Sequence, residues 1–226
     1  MFAVSHLTGF NTRLKQVEIS QTDAAVDTTD TTAYTFSGAA LGAAHSNRKI
    51  LVGIVATDAG NDTTVSTVTV GGISASLETD GSTTARAINT SDTNSHVAEF
   101  WIASVPTGTT GDIVVTMSEA STNCGIVVYR LLNAAIQSVV IDVATTYSQA
   151  ITVNGFGAII GLIHLDDDTT CTWTNLTEDV DATIETAQAA YSSASLRFPT
   201  GGSKTITATP ASVNNDSMVL VAYKPL

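Results

Sequence analysis

KILVGIVA, residues 49–56, carries one charge at its first position and then seven residues without a polar side chain. A strand with one face on a core and the other in water alternates apolar and polar residues. This one does not alternate. It is too short for a buried helix, it is rich in β-branched residues, and acidic and glycine residues follow it at 58–60. It therefore reads as a central strand covered on both faces. AIIGLIHL, residues 158–165, has the same character.

Working outward, short apolar or alternating blocks bounded by turn residues recur along the chain. VSTVTV (65–70), HVAEFWIAS (96–104), GDIVVTM (111–117) and GIVVYRLL (125–132) are strand candidates, and so are YSSASLRF (191–198), KTITAT (204–209) and SMVLVAYK (217–224). No stretch holds a 3.6-residue period. DATIETAQAA (181–190) reads as a loop running into a strand. Set in two rows, the blocks pair up. ILVGIVATDAGNDTT resembles AIIGLIHLDDDTT, WIASVPTGTTGDIVVTMS resembles LRFPTGGSKTITATP, and GIVVYRLL resembles SMVLVAYK. The offset is 109 at the first pair, 93 at the Pro-Thr-Gly turn and 92 at the last. The second row thus lacks about 16 residues that the first carries in ETDGSTTARAINTSDTN.

The expected fold is all-β: an antiparallel β-sandwich of jelly-roll type built from an internally duplicated strand set. The repeat copies span about 49–132 and 157–224 within a sandwich at 41–226. A single sandwich of about eight strands is preferred over two small tandem ones, because the two apolar strands call for a shared core. Residues 1–40 are rich in Thr, Ala and Asp and weakly patterned; they read as an N-terminal arm with an edge strand around AYTFS.

Composition narrows the function. Hydrophobic residues make up 43% and charged residues only 13%, so Thr, Ser, Asn and Gly supply the polar surface. The net charge of −12 argues against nucleic acid or an anionic membrane as partner. The N-terminus lacks a basic head with an apolar core, and no run of about 18 apolar residues occurs, so neither an export signal nor a spanning helix is expected. Cys124 and Cys171 are too few for a disulfide scaffold and read as two buried free thiols, with a single pairing as the alternative.

The densest chemistry is GLIHLDDDTTCTWTNLTEDVD, residues 161–181. Asp166, Asp167 and Asp168 are candidate calcium ligands, though no EF-hand pattern is present; the alternative is a solvated acidic loop, since the first row has an acidic loop at the same place. His164 and Cys171 alone are too few ligands for zinc. A carboxylate pair for glycoside cleavage would draw on Glu99, Glu178 and Asp181. Trp101 falls on the apolar pattern of its strand. Trp173, with Tyr191, is the candidate glycan-stacking surface, and a core or edge plug is the alternative. No G-x-S-x-G occurs, the four histidines lack a nucleophile motif, and VGGIS (70–74) is a hairpin turn. The chain reads as non-enzymatic, with no resident cofactor other than that candidate calcium.

NRKILVGIVATD, VSTVTVGGISASLE, AEFWIASVPTGTTGDIVVTMS and GIVVYRLL together resemble the all-β structural proteins of tailed bacteriophages, and AIIGLIHLDDDTTCTWTNLTED resembles the matching second part of the same domain. The resemblance covers about residues 47–226 and carries no catalytic signature. It implies a virion component assembled in the host cytoplasm. The leading form is a head decoration, or cement, protein that binds the capsid exterior; the other is a tail-fibre or tail-accessory module that binds a host receptor or glycan. Partners would be the major capsid protein or other virion proteins, and copies of the chain in a closed homo-oligomer such as a trimer.

Overall fold

The computed structural model describes residues 15–59, 63–91, 93–143, 146–167 and 169–226. Among these there is no helix, and every strand pairing is antiparallel. The first half holds β1 (Glu18–Asp27), β2 (Thr31–Ala40), β3 (Lys49–Ala59), β4 (Val65–Val70), β5 (Ile73–Ser74) and β6 (Ser76–Leu77). It continues with β7 (Arg86–Asn89), β8 (Asn94–Ser104), β9 (Thr110–Ser121) and β10 (Asn123–Leu132). The second half holds β11 (Ala134–Asp142), β12 (Ser148–Val153), β13 (Gly157–Leu165) and β14 (Cys171–Thr174). It ends with β15 (Thr177–Glu185), β16 (Ala189–Phe198), β17 (Gly202–Pro210) and β18 (Ser217–Pro225).

Each half makes one larger and one smaller sheet. In the first half the orders are β1-β10-β3-β8-β6, with β7 also on β8, and β2-β9-β4-β5. In the second they are β11-β18-β13-β16-β15 and β12-β17-β14. The two larger sheets meet face to face. Leu51, Val55, Phe100, Val127 and Tyr129 from one pack with Ile160, Leu162, Tyr191, Val219 and Val221 from the other. Two outer cores lie between each larger sheet and its smaller companion. One includes Tyr34, Ile54, Val68, Trp101 and Ile113; the other includes Ile151, Ile159, Ile163, Ile206 and Leu220. The molecule is thus a stack of four layers with three cores.

The stack accounts for the two unalternating strands. Along β3, Leu51 and Val55 enter the middle core, and Ile50, Val52 and Ile54 enter the outer one. Along β13, Ile160 and Leu162 face the middle and Ile159 and Ile163 face outward. Glycine makes the contact close at Gly53, where a Cβ would lie 2.7 Å from Val127 and 2.9 Å from Phe100.

The expectation of one two-sheet sandwich therefore gives way to four sheets. Among the unexpected strands, β1 and β15 carry acids and hydroxyls along their length. Residues 15–40, expected as an arm with an edge strand around AYTFS, supply two edge strands: β2, which contains AYTFS, and β1. Residues 1–14 lie outside the described residues. The 177–185 stretch is β15 and runs through a turn into β16. Pairing register also carries the sequence offsets. Ile54 pairs with Ile126 and Glu99, and Ile163 pairs with Met218 and Ser192. Ile163 lies 109 positions after Ile54, Met218 92 after Ile126 and Ser192 93 after Glu99.

Candidate functional site

The last residues of β3 and β13 and the first residues of β8, β16 and β18 gather at one end of the stack. Thr57 ends the apolar run of β3, and its Oγ1 lies 2.8 Å from Nε2 of His164 across the seam between the larger sheets. His164 has the inward-facing position after Leu162 in the β13 alternation, and its cross-strand neighbours are Tyr191 and Ser217. His96 of β8 sits against it, with ring centroids 5.2 Å apart and planes tilted by 52°. Both imidazoles are fully buried.

Carboxylates and amides from the loops close over this pair. Asp166 Oδ1 lies 3.5 Å from His96 Nε2, and its Oδ2 accepts a hydrogen bond from Asn215 at 3.0 Å. The Asp166 amide donates to Asp216 Oδ1 at 2.9 Å, and Asp167 accepts from the Asn214 side chain. Above them lies an open polar hollow of about 430 Å³, whose lining includes Thr57, Asn94, Asp166, Asp167, Asn214 and Asn215. Burial, then His96 beside it, holds the His164 imidazole well below its usual range. Burial pushes Asp216 up to about 6, opposed by the amides of Asp166 and Asn214.

This places two of the three expected calcium ligands beside the hollow, and Asn214 and Asn215 hold oxygens of both. Asp168 lies outside the described residues. Among the described residues no group of three or more His, Cys, Asp or Glu is arranged to hold a metal ion. Trp173 is half-buried; its indole donates to Ser192 Oγ at 2.8 Å and its ring lies over Gly161. It packs on the outer core of the second half. Tyr191 is buried on the opposite face of the same sheet, in the middle core, and donates to the Ile126 carbonyl. The two expected glycan-binding aromatics therefore do not share a surface.

Of the three candidate acids, Glu99 is fully buried. It takes a two-pronged ion pair from Arg86, the Trp101 indole N–H at 2.7 Å and the Val65 amide. Burial is the larger influence and pushes its pKa up despite these donors. Glu178 and Asp181 lie on β15, and Asp181 accepts the Cys171 amide at 3.3 Å. Cys124 and Cys171 are buried free thiols, and burial pushes both pKa values up.

Sequence reasoning misses the histidine pair, Thr57, Asp216 and the two asparagines. His96 and His164 are 68 positions apart on different strands. Only the stacking of two sheets brings them together, and no local spacing signals it. No family model matches the chain, and no curated protein shows significant similarity to it.

Proposed function

We propose that the chain is a non-enzymatic structural protein of a phage virion, a head decoration protein that binds the capsid exterior through contacts to the major capsid protein. The observation that carries this reading is how the buried polar groups are engaged: they brace the body. Arg48 is buried, and its guanidinium donates to five backbone carbonyls, those of Leu41, Gly42, Val105, Thr107 and Gly108. That fastens the Pro-Thr-Gly turn to the chain entering β3. Across the seam, the Tyr129 hydroxyl donates to Asp179, Tyr223 donates to Glu78, and Asp80 accepts the Val139 amide. Together with the middle core these ties give a stiff block, and a net charge of −12 keeps copies apart until they dock.

We also read each half as a jelly roll, so that the chain is a duplicated jelly roll with copies wider than 49–132 and 157–224. The strand pairs support this. A jelly roll wraps a long hairpin so that first and last, second and next-to-last, and so on, lie side by side. Here β1 lies beside β10, β2 beside β9, β3 beside β8 and β4 beside β5. In the second half β11 lies beside β18, β12 beside β17 and β13 beside β16. The larger sheets stack in opposite order, with β1 near β15 and β7 near β11, as an approximate two-fold axis would place them.

One observation favours the tail-accessory alternative: the hollow at the loop end is lined by amides and carboxylates, groups that suit sugar hydroxyls. The test of the leading reading is particle strength. Virions depleted of this chain are expected to rupture at lower temperature or lower salt, and added protein restores them. Unchanged strength rules out cementing.

A further inference from the structure

Charge is sorted along the axis of the stack. One end is where β10 leads into β11 through Asn133. There lie Lys15, Lys49, Arg130, Arg197, Lys204 and Lys224, within three residues of the ends of β1, β3, β10, β16, β17 and β18. All six are exposed or half-exposed, and among the described residues none is ion-paired to a carboxylate. Glu18, Asp112 and Glu178 are the exposed acids on that side, so cations outnumber them. The loop end has the opposite character. Asp27, Asp30, Glu119, Asp166, Asp167 and Glu185 are exposed or half-exposed there, and among the described residues none meets a lysine or arginine. The two remaining cations of the described chain are Arg48, buried against carbonyls, and Arg86, held by Glu99.

The basic end also carries an apolar groove of about 230 Å³, whose lining includes Phe156, Phe198, Pro199 and Arg197. Phe156 is 43% exposed, and its φ of 61° lies in the left-handed region, which a bulky side chain seldom adopts. The turn thus holds an aromatic ring in water at a cost in backbone energy. An exposed aromatic beside an arginine has the composition of an interface anchor. The other exposed large apolar side chains also fall at the two ends. Ile73, Leu196 and Leu226 lie with the cations, and Val26, Ile141, Val143 and Val213 with the acids.

We propose that copies of the chain associate end to end: the basic end of one, centred on the Phe156–Arg197 groove, docks on the acidic loop end of the next. The partner surface is on the same molecule, so the complementarity is complete within one chain. A two-fold contact of like ends would set cations against cations or acids against acids. The net charge of −12 does not forbid the contact. β3 alone has 11 residues, so the ends are separated by about 35 Å. Salt at physiological strength screens charge over about 8 Å, and each end is felt by its neighbour alone. The two patches differ, so the contact is heterologous and repeats along the stack axis. It does not depend on where the chain is used.

The test is sedimentation equilibrium of the full chain with a charge swap. In about 0.15 M salt the weight-average mass is expected to rise at least twofold as the concentration rises from micromolar to several hundred micromolar. In about 1 M salt, where the screening length is roughly 3 Å, it should fall back to that of the single chain. One double variant reverses the basic end (Arg197→Glu with Lys224→Glu), and another reverses the loop end (Asp30→Lys with Asp167→Lys). Each alone is expected to stay a single chain, because its two ends then carry the same sign. An equal mixture of the two should associate, since the reversed ends complement each other. A wild type that stays single at every concentration overturns the proposal. So does a reversed variant that associates as well as the wild type, or a mixture that does not associate. If a variant fails to fold, the salt series of the wild type decides, and a mass that holds or grows with salt refutes the charge-matched contact.

Discussion

At the scale of single residues, burial decides what each polar group does. Asp216 is the clearest case. Its folded-state pKa of about 6 lies above the roughly 3.9 of an unfolded aspartate. The native state therefore binds more protons between those values, and the buried charge costs stability above them. Asp216→Asn is expected to raise the melting temperature at pH 7.5 and to leave it unchanged at pH 3.5; a fall at pH 7.5 would show that the carboxylate is needed as a charge. Arg86 and Glu99 work the other way. Removing Arg86 leaves a buried carboxylate with only the Trp101 and Val65 donors. Arg86→Met should cost about 3 kcal/mol in urea unfolding, and adding Glu99→Gln should recover part of it. Gly161 shows the steric side: a Cβ there would sit 2.7 Å from the Trp173 ring. Gly161→Ala should displace that indole, at about 1–3 kcal/mol, and shift tryptophan emission to the red. Unchanged emission would mean that the ring is not seated on the glycine.

At the scale of elements, the legible strands are those with an unbroken apolar pattern. β3, β8, β10, β13, β16 and β18 form the middles of the larger sheets, and their sequences show it. β1 and β15 escape detection because EISQTDAAVD and TEDVDATIE carry acids and hydroxyls along edges that meet water on one side. β14 is only four residues long. The loop between β13 and β14 is visible as chemistry, but its partners are not, since Asn214 and Asn215 come from a turn almost fifty residues later. For the same reason Tyr191 looks like a companion to Trp173. Alternation gives the face of a side chain but not which sheet covers that face. The seam ties are open to direct measurement. Tyr129→Phe keeps the ring and removes one donor from Asp179, so it should cost roughly 1 kcal/mol, with a coupling of similar size to Asp179→Asn in a double-mutant cycle. Additive effects would mean that the bond contributes nothing.

At the scale of the whole molecule, the middle core joins the halves. Neither larger sheet can be uncovered without exposing Leu51, Phe100, Ile160 and Leu162 to water. Heat unfolding at neutral pH should therefore be a single transition whose calorimetric and van't Hoff enthalpies agree; two resolved transitions would show that the halves fold apart. A braced, acidic, four-layered block is the physical basis for reading the chain as a capsid-surface protein, and location tests that reading most directly. Particles released from cells that encode the chain can be labelled with immunogold against it and imaged. The account predicts gold at regular positions over the head. Gold confined to the tail, or particles that carry none, would contradict it.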